Sequence, residues 1–206
     1  MTNPTWWRRN RLWLLMLAPL LLLAVATSSF RLVTLYLPWE WSRPTVAHAP
    51  TGTLRHQFLG SDDVRREREV TVTIVSARSV PSSDGILPAP GAALWQIELE
   101  FVASPDQILQ FCTIELADAA GPRYGNQGGK VDADGEPTFA NALQFCVPED
   151  APGPTLESFT GQLVPSPEER PATWRLTYAL GLPSDAEPTE LRIGWDRPEY
   201  LVLQLP

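Results

Sequence analysis

Few residues in this chain have the types and spacing that catalysis requires. The two histidines, His48 and His56, lie in a segment that we predict to be a stalk outside the folded domain. A serine or cysteine nucleophile needs an adjacent general base, and histidine is the usual one. Any such arrangement would have to take its base from outside the domain. We therefore predict no catalytic residues and no enzyme activity.

A partial calcium motif occurs in the sequence VDADGEP. Asp132, Asp134 and Glu136 alternate next to Gly135, and alternate carboxylates in a turn can bind a hard cation. The full twelve-residue spacing of a calcium loop is absent, and Asp-x-Asp-Gly is also an ordinary turn. We predict a turn without a metal and keep calcium at these three residues as the alternative.

Two further patterns have structural interpretations. The glycine-rich stretch from Gly125 to Lys130 lacks the Ser or Thr after lysine, and the following helix, that a phosphate-binding loop requires. Glu98 and Glu100 flank Leu99 in an alternating segment, which predicts a solvated strand face rather than paired acids for sugar cleavage. We therefore predict no cofactor.

Cys112 and Cys146 are the only cysteines, and neither C-x-x-C spacing nor a nearby histidine marks them as a redox or metal pair. On the oxidising side of a membrane they are expected to form a structural disulfide. Cys112 is in phase with the inward residues of its strand, whereas Cys146 is out of phase with Leu143, Phe145 and Val147. This mismatch predicts either a bulge near Cys146 or a disulfide at a sheet edge.

The strongest signal in the chain is the uncharged apolar run from Leu12 to Phe30, which follows three arginines. As an α-helix this run would span about 28 Å, close to the hydrocarbon core of a bilayer. We predict a cytoplasmic basic tail at 1–11 and a transmembrane helix at 12–37, because arginines keep an N-terminus in the cytoplasm. The residues expected at the two membrane interfaces are Trp6, Trp7, Arg8, Arg9, Arg11, Tyr36, Trp39 and Trp41.

A cleaved signal peptide is the alternative to this anchor. Its basic start fits, and Ala24-Val25-Ala26 has the small-x-small form that signal peptidase accepts. Two features favour a retained anchor. Apolar residues resume from Leu32 to Leu37, and Pro19 lies in mid-run, a position that membrane helices tolerate.

Charge is divided unevenly along the chain. Residues 1–37 contain four arginines and no acidic residue, whereas residues 38–206 contain the remaining 12 basic and all 24 acidic residues, a net charge of −12. This split favours an acidic domain on the extracytoplasmic side. An acidic domain without a basic stripe is also a poor partner for nucleic acid.

Beyond the helix, the sequence predicts a stalk and one β domain. Residues 38–63 hold several prolines and glycines without periodicity, which is typical of a linker. In residues 64–206 apolar side chains recur every second residue, as at Val70, Val72 and Ile74, and we predict an all-β, antiparallel β-sandwich. The eight predicted strands are 70–80, 94–103, 108–118, 139–147, 158–164, 173–182, 191–196 and 200–205.

Two motifs in the β region form recognisable turns. The first is a Leu-x-Asp-x-x-Gly-x-x-Tyr hairpin at Leu116, Asp118, Gly121 and Tyr124, and the second is a turn into a strand at Gly161, Leu163, Val164 and Pro165. They resemble those of immunoglobulin-like extracytoplasmic domains in secreted and membrane-anchored proteins of actinobacteria and other Gram-positive bacteria. This resemblance covers about residues 68–206, and it implies a binding or interaction module without a catalytic set.

Together these features predict a single-pass membrane protein with an immunoglobulin-like extracytoplasmic domain. Its expected partners are the membrane and another membrane or envelope protein, in a complex where it is an accessory or scaffold subunit. The alternative is an extracytoplasmic ligand- or metal-binding receptor or enzyme, including a form secreted after signal cleavage. The final strand, Tyr200 to Leu205, is a candidate for pairing with a partner at an exposed edge.

Overall fold

The N-terminal part of the chain is one long helix. The computed structural model describes residues 4–36, 40–119, 121–138, 141, 143–157 and 160–206. It divides into two compact units, Met1–Ser42 and Arg43–Pro206. In the first unit, α1 spans Pro4–Arg31 and is followed by a π-helical turn, Leu32–Tyr36. The helix therefore begins before residue 12, within the predicted basic tail, and proline is favoured in a first helical turn.

From Leu12 to Phe30 the side chains of α1 are uncharged and mostly apolar, and nearly all of them are exposed. The stretch Arg8–Thr34 holds 27 residues, and none of its most apolar window is buried against the described chain. At 1.5 Å per residue it is about 40 Å long, enough to cross the roughly 30 Å hydrocarbon core. A secretory signal sequence also forms an apolar helix near an N-terminus, so these properties establish that the helix is able to span a membrane and leave its orientation open.

The second unit consists mostly of β-strands, as the alternating sequence predicts. The strands are β1 Arg43–Ala47, β2 Thr51–Leu59, β3 Arg65–Val80, β4 Leu87–Pro88, β5 Ala92–Val102, β6 Phe111–Asp118, β7 Arg123–Tyr124, β8 Lys130–Val131, β9 Leu143–Phe145, β10 Thr155–Leu156, β11 Leu163–Val164, β12 Thr173–Pro183, β13 Pro188–Gly194 and β14 Glu199–Gln204.

The described strands of the unit form two large sheets and two two-stranded sheets, β4-β8 and β10-β11. One large sheet has the order β12-β5-β3-β2, and the other has the order β1-β14-β13-β6-β7, with β9 also paired to β6. Both large sheets contribute to one hydrophobic cluster, and each fully buried Leu, Ile or Val contributes about 1.5–3 kcal/mol to folding. Its fully buried members include Leu54, Val72, Leu99 and Leu180 from the first sheet, and Ile114, Leu191 and Leu201 from the second.

The prediction of a stalk at 38–63 is wrong for most of its length, because residues 43–47 form β1 and residues 51–59 form β2. Leu54 and His56 in β2 are buried, and β2 pairs with β3 along its full length. β1 pairs in parallel with β14, with Arg43 opposite Glu199, so the sheet is not antiparallel throughout. Pro44 is compatible with β1 because this strand lies at the sheet edge, where a missing N–H is tolerated.

Most of the predicted strands are present with shifted ends. β3, β5, β6, β12, β13 and β14 match the predictions closely. Of the predicted strand 139–147, residues 139, 140 and 142 lie outside the described residues, and β9 covers Leu143–Phe145 of the rest. The predicted strand 158–164 is wrong at 160–162, where Gly161 has a φ of 70° and the chain turns before β11. β14 lies between β1 and β13 rather than at an edge, so it is not a free pairing edge.

The two hairpins that carry the resemblance are present. Leu116 pairs with Tyr124, whose hydroxyl donates to Asp118 Oδ2 at 3.1 Å. Gly121 has a φ of 100°, a conformation that favours glycine in such a turn. Leu163 and Val164 pair with β10.

Candidate functional site

The disulfide is formed and lies within one sheet. Cys112 in β6 and Cys146, directly after β9, are fully buried with Cα atoms 5.8 Å apart. Of the two explanations offered by the sequence, the sheet edge applies, because β9 pairs only with β6 in the part of the chain that the structure describes. The indole N–H of Trp174 donates to Cys146 O at 3.1 Å, and the Tyr178 hydroxyl donates to Phe145 O at 2.9 Å.

Beside the disulfide, three apolar side chains form an exposed edge surface, which consists of Phe111, Leu143 and Phe145. The prediction that Leu143 and Phe145 point inward is wrong, since they are 53 % and 61 % exposed. Their neighbours Gln144 and Cys146 occupy the inward positions instead. Phe111 and Phe145 are directly paired across the strands, with ring centroids 4.9 Å apart. Exposed aromatic pairs of this kind are typical of interaction surfaces.

Sequence reasoning missed a buried charge network made of His56, Arg68 and Asp196. The Arg68 guanidinium is almost fully buried and forms an ion pair with Asp196, whose side chain is 46 % exposed. Nη1 of Arg68 lies 3.2 Å from Nε2 of His56, and that nitrogen is 3.8 Å from Asp196 Oδ2. Arg68 also donates twice to the carbonyl oxygen of Ile108, at 3.0 and 3.1 Å, and stacks over Phe58 at 4.1 Å.

The electrostatics of this network follow from burial and pairing. Burial lowers the pKa of Arg68, and the neighbouring carboxylate of Asp196 opposes that shift. Burial by itself would raise the pKa of Asp196, but hydrogen bonds and charge from His56 and Arg68 outweigh it and hold that pKa below its ordinary value. The Asp196 carboxylate is therefore the form that neutralises the buried guanidinium.

The chemistry available to the network is structural rather than nucleophilic. Its hydrogen bonds within the described residues involve no serine, threonine or cysteine. It connects β2 and β3 with the β13–β14 turn and with the loop before β6. It thereby fixes the end of the domain at which β1 begins, because Arg43 N donates to Pro198 O in the same turn.

The phase of the strands could have identified Arg68. Val70 and Val72 point inward, and Arg68 continues the same every-second-residue pattern, which is evident once β3 is extended to Arg65. The charged run at 64–69, VRRERE, has the composition of a solvated surface segment, but Arg68 within it is buried. Asp196 gave no such signal, because its contact with Arg68 depends on how the β13–β14 turn is placed.

A second buried cation, Arg170, holds loops rather than strands. It donates to the carbonyl oxygens of Ser104 at 2.7 Å, Gln107 at 2.9 Å and Pro152 at 3.3 Å, and it lies over the Trp174 ring at 4.8 Å. Burial lowers the pKa of Arg170 to about 10. Its contacts join the β5–β6 loop to the loop that follows the disulfide.

Two hairpin ends meet at another exposed apolar surface. Four side chains that are between 46 and 62 % exposed form what we call the tip surface: Leu59, Val64, Leu163 and Val164. The hairpins pack closely, since a Cβ added at Gly161 would lie 2.7 Å from Asp62 N. Asp62 also accepts from Arg66 at 2.5 Å, which lowers the pKa of Asp62 to about 2.

The remaining sequence candidates have structural roles. Asp132 Oδ1 accepts backbone N–H groups of Asp134 and Glu136, both at 2.9 Å, as in an ordinary turn. Among the described residues, no three His, Cys, Asp or Glu side chains gather as metal ligands, so the calcium alternative has no geometric support. Glu98 and Glu100 form cross-strand ion pairs with Arg175.

The glycine-rich stretch Gly125 to Lys130 packs against β12 instead of forming a phosphate loop. A Cβ added at Gly129 would lie 2.7 Å from the carbonyl carbon of Gly181, so the two backbones touch where neither carries a side chain. Lys130 is buried and donates to Ala179 O at 3.1 Å, and burial lowers its pKa. These contacts leave the stretch a packing role.

The predicted membrane-interface residues are only partly described. Trp6, Arg8, Arg9 and Arg11 are exposed on the first turns of α1, and Trp41 is half-buried. The side chains of Trp7 and Tyr36, and the whole of Trp39, lie outside the described residues.

Comparison with protein-family models, with curated proteins and with solved structures finds no match to this chain. The functional argument therefore depends on the residues themselves.

Proposed function

We propose that the protein is a single-pass, membrane-anchored interaction module, with its N-terminus in the cytoplasm and residues 43–206 on the extracytoplasmic side. The observation that carries this proposal is the exposure of α1, whose apolar window has no described protein surface against it. A helix that is apolar on all sides is stable when lipid or another protein surrounds it. The three arginines at the N-terminal end, Arg8, Arg9 and Arg11, and the net charge of −12 beyond residue 37 support the orientation.

The β unit is proposed to be an immunoglobulin-like β-sandwich. This is supported by two sheets that share one hydrophobic cluster and by the two hairpins of the resemblance. A disulfide is compatible with an oxidising, extracytoplasmic location. Such a unit supplies a binding surface, and its proposed work is non-catalytic binding to another membrane or envelope protein as an accessory or scaffold subunit.

The anchoring half predicts the fate of the N-terminus. In membranes from cells that express the full-length protein, we expect carbonate-resistant protein that retains the peptide before Ala26. Protease added to spheroplasts should digest the β unit and spare an N-terminal tag. Replacing Arg8, Arg9 and Arg11 with glutamate should reduce the correctly oriented fraction, because the charges that hold the N-terminus inside are reversed. A mature chain that starts near Thr27 and is released from the membrane would contradict the anchor.

The interaction half predicts that the edge surface holds the partner. After crosslinking in native membranes and extraction in mild detergent, wild-type protein should co-purify with a specific membrane or envelope protein. The double change Phe111→Ser and Phe145→Ser should abolish most of this recovery, because exposed aromatic anchors supply much of an interface's binding energy. The matched control is Leu87→Ser, because Leu87 is an exposed apolar residue at the end of the β unit opposite to the edge surface. Unchanged recovery with the double variant, or a calcium-induced stabilisation without a partner, would contradict the proposal.

A further inference from the structure

Strand β12 is long, regular and lies at the edge of its sheet. It pairs with β5 along its eleven residues, Thr173–Pro183, without a bulge, and no described strand pairs with its other side. Natural proteins usually shorten, kink or cover such an edge, because its free main-chain groups can pair with another chain. Among the described residues, the cover reaches only the C-terminal half, where Lys130 Nζ donates to Ala179 O at 3.1 Å and Gly129 packs against Gly181.

The other half, residues 173–177, has main-chain groups that point out of the sheet, and we call it the free half of β12. The N–H of Ala103 donates to the carbonyl oxygen of Ala172, so Ala172 and every second residue after it face β5. The N–H and C=O groups of Thr173, Arg175 and Thr177 therefore face outward, and no group in the described part of the chain bonds to them. Outward residues of a strand are about 7 Å apart, a spacing that the backbone of an extended peptide matches.

Beside the free half is a groove of about 440 Å³. One wall is formed by Leu176 and Tyr178 of β12, and the other by Phe145 and Val147 at the end of β9, which belongs to the second large sheet. Leu176 is only half-buried, whereas Trp174 and Tyr178 on the same face are buried, so the core is incompletely covered at this point. A strand added beside β12 would direct every second side chain inward at the level of Leu176, into this groove.

The surroundings of the free half are acidic. Glu149 lines the groove and Asp150 follows it in the chain, and Glu168 and Glu169 lie in the loop that leads into β12. All four side chains are exposed, and none of them forms an ion pair within the residues that the structure describes. Asp106, also exposed, lies beside the same loop.

The cations near the free half are engaged elsewhere. Arg175 forms ion pairs with two glutamates of β5, at 2.7 and 3.7 Å. Arg170 is buried and donates to main-chain carbonyl oxygens, and the charge of Asp106 acts on it. Lys130 lies at the covered half and donates to Ala179 O. The free half therefore presents a net negative charge, which favours a basic partner.

We propose that the free half of β12 pairs with an extended segment of the partner protein. That segment is an added strand, with an apolar side chain in the groove and Lys or Arg side chains against the acidic rim. This inference rests on the proposed function, because Phe145 of the edge surface forms one wall of the groove. Outward main-chain groups at every second residue favour a polypeptide over a small ligand. A second copy of the chain is disfavoured, since it would bring its own Glu149 and Asp150 to the same rim.

The test uses the full-length protein in nanodiscs of phosphatidylcholine, a lipid without net charge. The probe is the fluorescent peptide Lys-Val-Lys-Val-Lys-Val-Lys, and Glu-Val-Glu-Val-Glu-Val-Glu is the control of opposite charge. Thr177→Pro removes one outward N–H without changing the charge, and proline is tolerated where the N–H of an edge strand faces solvent. Thr177→Ala keeps that N–H and is the matched control. Binding is measured by fluorescence anisotropy.

We expect the lysine peptide to bind about tenfold more tightly than the glutamate peptide, because the rim is acidic. Thr177→Pro should weaken binding of the lysine peptide about tenfold, whereas Thr177→Ala should change it by less than about twofold, because only the first change removes a strand-pairing group. In the wild type, the peptide should also slow amide hydrogen exchange at Thr173, Arg175 and Thr177. The exchange measurement decides the matter if Thr177→Pro does not fold.

Equal affinity of Thr177→Pro and Thr177→Ala, or unchanged exchange at residues 173–177, would overturn the strand pairing. Equal binding of the two peptides would overturn the basic partner, and a wild-type dimer that Thr177→Pro dissociates would overturn the choice of occupant. None of these results affects the proposed function if co-purification of the membrane partner still requires Phe111 and Phe145. Recovery of that partner without these two side chains would contradict the proposed function, whichever peptide binds.

Discussion

Replacing Asp196 with asparagine is expected to lower the free energy of unfolding by about 2–3 kcal/mol, because it leaves the buried Arg68 guanidinium without its counter-charge. Removing one member of a buried ion pair typically costs about 3–5 kcal/mol. The estimate lies below most of that range because Asp196 is half-exposed, so water screens part of the remaining charge. Asparagine keeps the shape and one acceptor oxygen, and the change therefore isolates the charge.

Glu199→Gln supplies the matched control. Glu199 lies three residues after Asp196 in the chain and forms an ion pair with Arg43 at 3.1 Å. Unlike Arg68, the Arg43 side chain is 72 % exposed. Removal of that carboxylate should cost less than about 1 kcal/mol. Both variants are compared with the wild type by urea unfolding of the full-length protein in mild detergent at pH 7. The double change Arg68→Met and Asp196→Asn should recover much of the loss, since no buried charge remains.

If Asp196→Asn costs no more than Glu199→Gln, the network does not stabilise the domain. The acid response gives a second measure of the same pair. The pKa of Asp196 is lower in the folded protein than its ordinary value of 3.8. Its stabilising contribution is therefore present above about pH 4 and is lost as the pH falls through the lowered pKa. Between pH 5 and pH 2 the wild type should lose more stability than Asp196→Asn does.

The features predicted correctly from the sequence are those set by neighbouring residues. The helix follows from an uncharged apolar run, and β3, β5 and β12 follow from inward residues at every second position. In β5, for example, Ile97, Leu99 and Phe101 are all fully buried, as their spacing predicts. The disulfide was predicted because Cys112 and Cys146 are the only two cysteines in the chain. Such signals are local, so a single sequence contains them.

The errors arose where the interior of the domain is polar. β2 has the inward sequence Leu54, His56, Phe58, and the histidine in the middle concealed the alternation. Arg68 lies opposite His56 in β3, and it resembled a surface residue because its neighbours in the sequence are charged. The inward position of Arg68 follows from the phase of β3, but its counter-charge, Asp196, lies 128 residues away in the chain. The pairing between these two residues leaves no trace in local periodicity.

The short strand β9 shows a second limit. Two alternating sets of residues were available, and the apolar set, Leu143 and Phe145, was assigned to the core. The structure instead places Cys146 and Gln144 inward, because the disulfide and the hydrogen bonds from Trp174 and Tyr178 fix that side of the strand. A covalent bond thus overrides the hydrophobic pattern. The result is an exposed aromatic pair that the sequence pattern assigned to the interior.

Loss of the disulfide is expected to be the most destabilising single event in the domain. Cys112 and Cys146 are 34 residues apart, and a cross-link of that length contributes about 4 kcal/mol in the chain-entropy model. The double change Cys112→Ala and Cys146→Ala should therefore lower the free energy of unfolding by about 3–4 kcal/mol, and Tm by roughly 10 °C for a domain of this size. Alanine is chosen because serine would bury an unpaired hydroxyl.

Reduction of the wild-type protein with dithiothreitol separates the cross-link from the packing of the sulfur atoms. The chain has no other cysteine, so any change on reduction belongs to this bond. In urea unfolding, the reduced wild type and the double variant should show a similar loss in the free energy of unfolding. Less of the partner protein should also co-purify with each of them, since β9 carries Phe145 of the edge surface. A loss below about 1 kcal/mol in both would show that the hydrogen bonds from Trp174 and Tyr178 hold this strand without the disulfide.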